Sequence, residues 1–442
     1  MVEKKSNNTV AIITMIFLFA MISFVTNLAA PIGVIWKNQF QDSNTLGMMG
    51  NMMNFAAYLF MGIPAGKLLG RIGYKKTALL AIAIGLIGVF IQYLSGVVGA
   101  EGTLFTLPLN FVVYLLGAFV CGFCVCMLNT VVNPMLNTLG GGGNKGNQLI
   151  QIGGSFNSLA GTLTPMVVGA LIGQVTVNTA ISDVNLVLFI AMGVFAVAFG
   201  ILSMVPIPEP HLLKDHGKTS KIKEKYSAWS FRHFVLGAIG IFIYVGVEIG
   251  IPGTLNFFLS DTTAKGGGLD PANAAAIGGF VAGTYWFLML IGRFIGGAIG
   301  GKVSSKMMLT AASGIGMLLV LAAIFSSVAT KVSMPVFTGS AFAMIQVPIS
   351  ALFLVICGLC TSIMWGGIFN LAVEGLGKYV TAASGIFMMM VVGGGILPLI
   401  QNSVADSVGY MASYWVIFLG LAYLLYYALI GCKNVNKNIP VE

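Results

Sequence analysis

A chain of 442 residues, 57% hydrophobic and only 8% charged, with a mean hydropathy of +0.94, is not a soluble globular protein, since such domains carry about 25% charged residues. Runs of about twenty apolar residues recur along its whole length, each long enough for a hydrocarbon core of about 30 Å. The alternating segments of about ten residues that mark a membrane barrel are absent, so the expected fold class is an all-α membrane protein.

In chain order, "MVEKKSNNTV" carries two lysines ahead of the first apolar run, as a signal peptide does. No A-x-A-like cleavage site closes that run, so it reads as an uncleaved first helix. Twelve spans are expected: 10–36, 46–69, 76–98, 104–138, 148–173, 184–206, 232–259, 272–300, 306–329, 344–373, 380–402 and 409–431. An even number puts both termini on one side. Nineteen of the 22 lysines and arginines then fall on that side, and only Lys37, Lys265 and Lys331 on the other. The positive-inside rule makes the basic side the cytoplasm, which places the chain in the plasma (inner) membrane with cytoplasmic termini. The net charge of +9 is accounted for by this topology, and a nucleic-acid partner is not needed.

The one long polar stretch, 207–231, lies in the middle and divides the chain into 1–206, a linker loop at 207–231, and 232–442. Weak internal symmetry supports two six-helix pseudo-repeats. Asn133, Leu139 and Gly140 precede Asn370, Leu376 and Gly377 by 237 residues, and Cys121-x-x-Cys124 answers Cys357-x-x-Cys360. Those cysteines have the spacing of a redox dithiol or zinc site. With no histidine or basic group beside them, they read as small apolar residues that let helices pack closely. "GKTS" at 217–220 lacks the first glycine and the strand of a phosphate loop. The three histidines, His211, His216 and His233, fall in or beside the central loop. No nucleophile–base motif appears, so neither an enzyme nor a metal centre is expected.

Polar residues inside the spans are the candidate site. Asn129, Asn133 and Asn137 form a stripe at i, i+4, i+8 on span 4, with Asn27 in span 1, Asn157 in span 5, Asn370 in span 10 and Gln401 in span 11. Amides carry both donor and acceptor and suit a neutral polyhydroxylated ligand, while Trp286 and Trp365 offer rings that stack on a sugar face. Glu248 is the deepest acid, one turn from Tyr244 and two from Asn256. It could carry a proton by cycling between charged and neutral forms, or serve as a structural acid paired with a neighbouring tyrosine. Asp183, Asp261, Asp270, Glu374 and Asp406 read as interfacial. Pro64, Pro134, Pro165 and Pro398 are expected to break or bend their spans.

"GKLLGRIGYKK" (66–76) resembles the loop signature of the major facilitator superfamily, with Gly66, Arg71, Gly73, Lys75 and Lys76 in place and Gly70 where its acid belongs. Arg293 lies in the corresponding "GRFIGG" after span 8, and these residues are expected to gate. "NTVVNPMLNTLG", "GSFNSLAGTLTP", "YVGVEIGI" and "SIMWGGIFNLAVEGLGK" resemble the fucose–proton symporter family and its glucose/galactose transporter branch. The resemblance implies import of a hexose or deoxyhexose by a monomer surrounded by lipid, with no cofactor beyond a coupling proton or sodium ion. It also implies two acids in the first half, for which this chain has Ala30 and Asn129. Coupling then rests on Glu248, or on sodium held by oxygen ligands, or is absent, which would make a sugar uniporter. An exporter of amphipathic molecules is the remaining alternative.

Overall fold

A computed structural model describes residues 8–41, 43–98, 102–104, 106–140, 143–173, 175–176, 178–209, 226–299, 303–337, 342–436 and 438–441. His211, His216 and the "GKTS" segment lie outside the described residues. The elements are almost all helical: α1 (Asn8–Asn27), α2 (Ala29–Gln39), α3 (Asn44–Val98), α4 (Leu109–Leu139), α5 (Gly143–Ile172), α6 (Asn185–Met204), α7 (Arg232–Ser260), α8 (Ala274–Ile299), α9 (Ser305–Phe325), α10 (Ile349–Thr361), α11 (Met364–Val373), α12 (Val380–Met390), α13 (Gly393–Val408) and α14 (Tyr410–Tyr426). Large apolar side chains such as Phe60, Ile63, Leu186, Phe189 and Val197 stay exposed along them, as a lipid-facing surface requires and a water-facing one forbids.

Among the described residues, eleven helical stretches are long and apolar enough to cross a membrane. One of them, α3, has 55 residues, about 80 Å at 1.5 Å per residue, far more than one crossing needs. Its backbone turns at Gly73, whose φ of 83° lies where only glycine sits without strain. The turn divides α3 into two spans and gives the twelve crossings expected. Tyr74 and Lys75 donate their N–H groups to the Glu209 carboxylate at 2.7 and 3.0 Å. Lys75 Nζ in turn donates to the Ser203 and Val205 carbonyls at the end of α6. Glu209 thus supplies an anion to the N-terminus of the third span, close to where Gly70 leaves the expected acid out.

Two span limits differ from expectation. Residues 344–348 belong to a hairpin, β3 (Lys331–Phe337) with β4 (Phe342–Pro348), paired antiparallel from Lys331↔Pro348 to Phe337↔Phe342. The run "FAMIQVP" is apolar enough to extend span 10, but Pro348 starts the helix by having no N–H to give the preceding turn. Span 4 likewise begins after a short hairpin, β1 (Thr103–Leu104) with β2 (Leu107–Pro108). His233, beside the central loop, is buried at the start of α7, with Nε2 2.9 Å from the Glu374 carbonyl.

The prolines do not break the spans: α3, α4, α5 and α13 run through theirs. The breaks fall instead at Leu28, at Ser362–Ile363 and at Val391–Val392. Pro398 still frees a carbonyl, that of Gly394 four residues earlier, and Asn51 of α3 donates to it at 2.8 Å. Cys121 and Cys124 pack where glycines let α3 approach α4: a Cβ on Gly88 would lie 2.7 Å from Cys121 Sγ, and one on Gly85 2.8 Å from Cys124 Sγ.

Candidate functional site

Between the first six spans and the last six lies a cavity of about 200 Å³. Its lining comes from α1, α3, α4, α5, α7, α8, α11 and α12. The first half contributes Asn27, Tyr58, Asn129, Asn133 and Asn157, and the second Tyr244, Glu248, Trp286, Arg293 and Trp365. Each asparagine is fixed by a bond to its surroundings. Asn27 Nδ2 donates to the Ser23 carbonyl at 2.9 Å, and Asn157 Nδ2 crosses from α5 to the Phe19 carbonyl of α1 at 2.8 Å. Asn129 Nδ2 donates to the Tyr58 hydroxyl at 2.8 Å and Asn133 Nδ2 to the Asn129 carbonyl at 3.0 Å.

The opposite wall carries the charge. Glu248 accepts from the Tyr244 hydroxyl at 3.0 Å and lies 3.7 Å from Arg293 Nη2. Arg293 Nη1 also donates to the Gly154 carbonyl of α5 at 2.6 Å, so one guanidinium touches both halves of the molecule. Tyr244 meets Trp365 edge-on with centroids 6.2 Å apart, and Tyr285 meets Trp286 at 5.6 Å. The indoles are thereby held upright at the cavity's edge.

Toward the lysine-poor face the two halves are held together. Lys37 of α2 pairs with Asp261 at the end of α7 at 3.0 Å, both almost fully buried. The Phe257 ring fills the notch between α2 and α3, where a Cβ on Gly33 or Gly47 would lie 3.0 or 3.1 Å from it. Asp406 of α13 accepts from Asn44 N at 2.7 Å, Thr45 N at 2.8 Å and Thr45 Oγ1 at 2.6 Å, capping α3 from the other half of the chain.

Of the residues expected at the site, Asn27, Asn129, Asn133, Asn157, Tyr244, Glu248, Trp286 and Trp365 line this one cavity. Asn256, Asn370 and Gln401 do not. Asn256 is buried against α8, Gln401 is buried beside Gly250, and Asn370 faces a separate cleft with Lys306 and Glu374. Asn137 continues the stripe, but its side chain lies outside the described residues. Arg293, named with the gating residues, reaches the cavity from within α8, while Gly66 and Arg71 are exposed. Ala30 does not line the cavity. Tyr58, Lys37, Glu209 and Asn51 were missed. Lys37 was placed as an exterior charge and Asp261 as interfacial, and a lysine nine residues past the Leu28 break carries no local mark of its distant partner.

This arrangement, with twelve spans and a central cavity lined by both halves, has clear parallels. The sequence profile of the Major Facilitator Superfamily matches residues 12–399. The chain belongs to that superfamily. It is therefore a multi-pass membrane transporter and not an enzyme. A glucose/galactose transporter of Brucella abortus is 33% identical over 443 residues, covering 98% of this chain and 96% of that one. The L-fucose-proton symporter of Escherichia coli is 23% identical over 92% and 90% of the two chains, and its crystal structure in the outward conformation superposes with a TM-score of 0.61 at 18% identity, over 95% and 98%. A bacterial homolog of the human lysosomal transporter Spinster, inward-facing and unoccupied, gives 0.64 at 13% identity over 97% of each chain. These structural likenesses concern the fold.

Proposed function

We propose that this transporter imports a neutral hexose or deoxyhexose, of the glucose, galactose or fucose kind, by alternating access. The observation that carries the reading is the lining: four asparagines and two indoles around a space between the halves, the pairing of amides with aromatic faces that a pyranose requires. An exporter of amphipathic molecules would want a mostly apolar wall. The relatives' names, glucose/galactose transporter and L-fucose-proton symporter, point the same way.

The lysine-rich face is the cytoplasmic one in this reading, in the inner membrane, and the Lys37–Asp261 seal makes the conformation inward-facing. Residues 1–206 and 232–442 move as two bodies of a monomer about the cavity. Glu248 is the proton carrier: charged, it holds Arg293, which also grips Gly154 of the other half, and neutral, it lets that grip loosen. No cofactor is needed beyond the coupling ion. Since Ala30 and Asn129 stand where the symporter family has acids, uniport is the second reading.

The deciding experiment is uptake of labelled glucose, galactose and fucose into proteoliposomes, without a gradient, with an inward proton gradient and with an inward sodium gradient. Accumulation under one ion gradient supports symport, and equilibration indifferent to both supports uniport. Absence of flux for all three sugars overturns the hexose reading.

A further inference from the structure

Two of the four cavity asparagines offer the ligand acceptors only. Amide nitrogen and oxygen are usually hard to tell apart, but here chemistry settles their orientation. Asn27 bonds the Ser23 carbonyl, Asn129 the Val125 carbonyl, Asn133 the Asn129 carbonyl and Asn157 the Phe19 carbonyl. A backbone carbonyl only accepts, so the nitrogen must face it and Oδ1 must face away. Asn27 has a second bond, to Ser23 Oγ at 3.1 Å, and Asn129 a second, to the Tyr58 hydroxyl at 2.8 Å. With two amide hydrogens apiece, both of these side chains are left with acceptor oxygens only. All four line the cavity and remain partly accessible.

We propose that the first-half wall recognises its ligand by accepting hydrogen bonds from hydroxyl groups, with Asn27 and Asn129 as uncharged acceptor-only groups and Tyr58 as the positioning residue that holds Asn129 in that role. The inference rests on the hexose reading and makes it specific. An ionised carboxylate is likewise acceptor-only. Asn129, standing where the symporter family has a glutamate, keeps the hydrogen-bond polarity of that acid while giving up its charge and its proton. Ligands are then selected by where they can donate.

The test uses the unaltered, full-length protein in proteoliposomes. Binding of whichever of glucose, galactose or fucose is transported is competed with deoxy and deoxyfluoro analogues at each ring position. Fluorine keeps the size of a hydroxyl and cannot donate. At two or more positions the fluoro analogue is expected to lose as much affinity as the deoxy analogue, about tenfold each. Fluoro analogues that compete like the parent at every position overturn the proposal, with the hexose reading left standing. If no parent sugar binds, that reading falls and takes this inference with it.

A variant pair tests the positioning role separately. Tyr58→Phe frees an amide hydrogen of Asn129 and is expected to weaken sugar binding about tenfold. Adding Asn129→Asp should restore it, because a carboxylate accepts whichever way it turns. A double variant as weak as Tyr58→Phe alone overturns Tyr58's role.

Discussion

Lys37 and Asp261 meet at 3.0 Å, one from each half of the chain, with side-chain exposures of 1% and 3%. The Tyr410 hydroxyl lies 2.8 Å from both Asp261 Oδ2 and Asn44 Oδ1, and its ring sits 5.5 Å below the ammonium. Removing one partner of so buried a pair strands the other's charge, at about 3–5 kcal/mol. That penalty falls on the sealed conformation alone. Asp261→Asn should therefore move the population toward the state open at the lysine-poor face. Faster reaction of a cysteine placed at Met48 with a membrane-impermeant thiol reagent would show it, and unchanged labelling would count against the seal.

The same pair fixes how the seal responds to acid. Burial pushes the Asp261 carboxyl up, but Lys37 and the hydrogen bonds from Thr263 and Tyr410 together hold it below the usual aspartate range. A lowered value means the stabilisation is fully present above the ordinary aspartate pKa of about 3.9 and is lost as pH falls through the lowered one. Labelling at Met48, divided at each pH by that of a fully exposed cysteine to remove the thiol's own titration, should stay constant from about pH 8 to 5 and rise only below about pH 4.

Glu248→Gln keeps the shape of the side chain and its bond to Tyr244 but cannot be charged. Gradient-driven accumulation should disappear while exchange of labelled for unlabelled sugar persists. Loss of both would make Glu248 a binding group rather than a carrier. Arg293→Lys should slow exchange as well, because one ammonium cannot reproduce the guanidinium's reach to both Glu248 and the Gly154 carbonyl.

At Gly73, alanine must adopt a φ of 83°, costing about 1–2 kcal/mol, and its Cβ would press on the Glu209 carboxylate. Glu209→Ala removes only a cap, about 1 kcal/mol. Thermal unfolding in detergent should rank wild type above Glu209→Ala, and that above Gly73→Ala.

Asn51→Ala strands the Gly394 carbonyl in a buried setting, at about 1–3 kcal/mol. Pro398→Ala returns the helix's own N–H to that carbonyl. The double variant should then be more stable than Asn51→Ala alone, and a strictly additive loss would show that the bond carries nothing.

Much of the architecture was legible in the sequence because membrane crossing imposes a length and an apolarity that any window detects. The asparagine stripe of α4 was legible too, since i, i+4 spacing puts Asn129 and Asn133 on one face whatever surrounds them. Gln401 and Asn256 were not placed. A helix that is apolar on every side gives no hint of which face meets the path and which meets a neighbour, so polarity alone drew them to the site. Lys37–Asp261 and Asn51–Gly394 join residues more than two hundred positions apart, which no local spacing can announce.

The interruptions at Ser362–Ile363 and Val391–Val392 leave α11 and α12 as rods of only 10 and 11 residues, and Trp365, Gly366, Met388 and Val391 on or beside them border the cavity. A short rod ending at mid-depth tilts with few contacts to break, whereas an unbroken span drags its whole length through lipid and partner helices. In the proposed alternating-access reading, enclosing a solute and turning the two halves over are then mechanically separate acts. The first needs only a few residues to lean inward, so trapping can precede the slower and costlier reorientation.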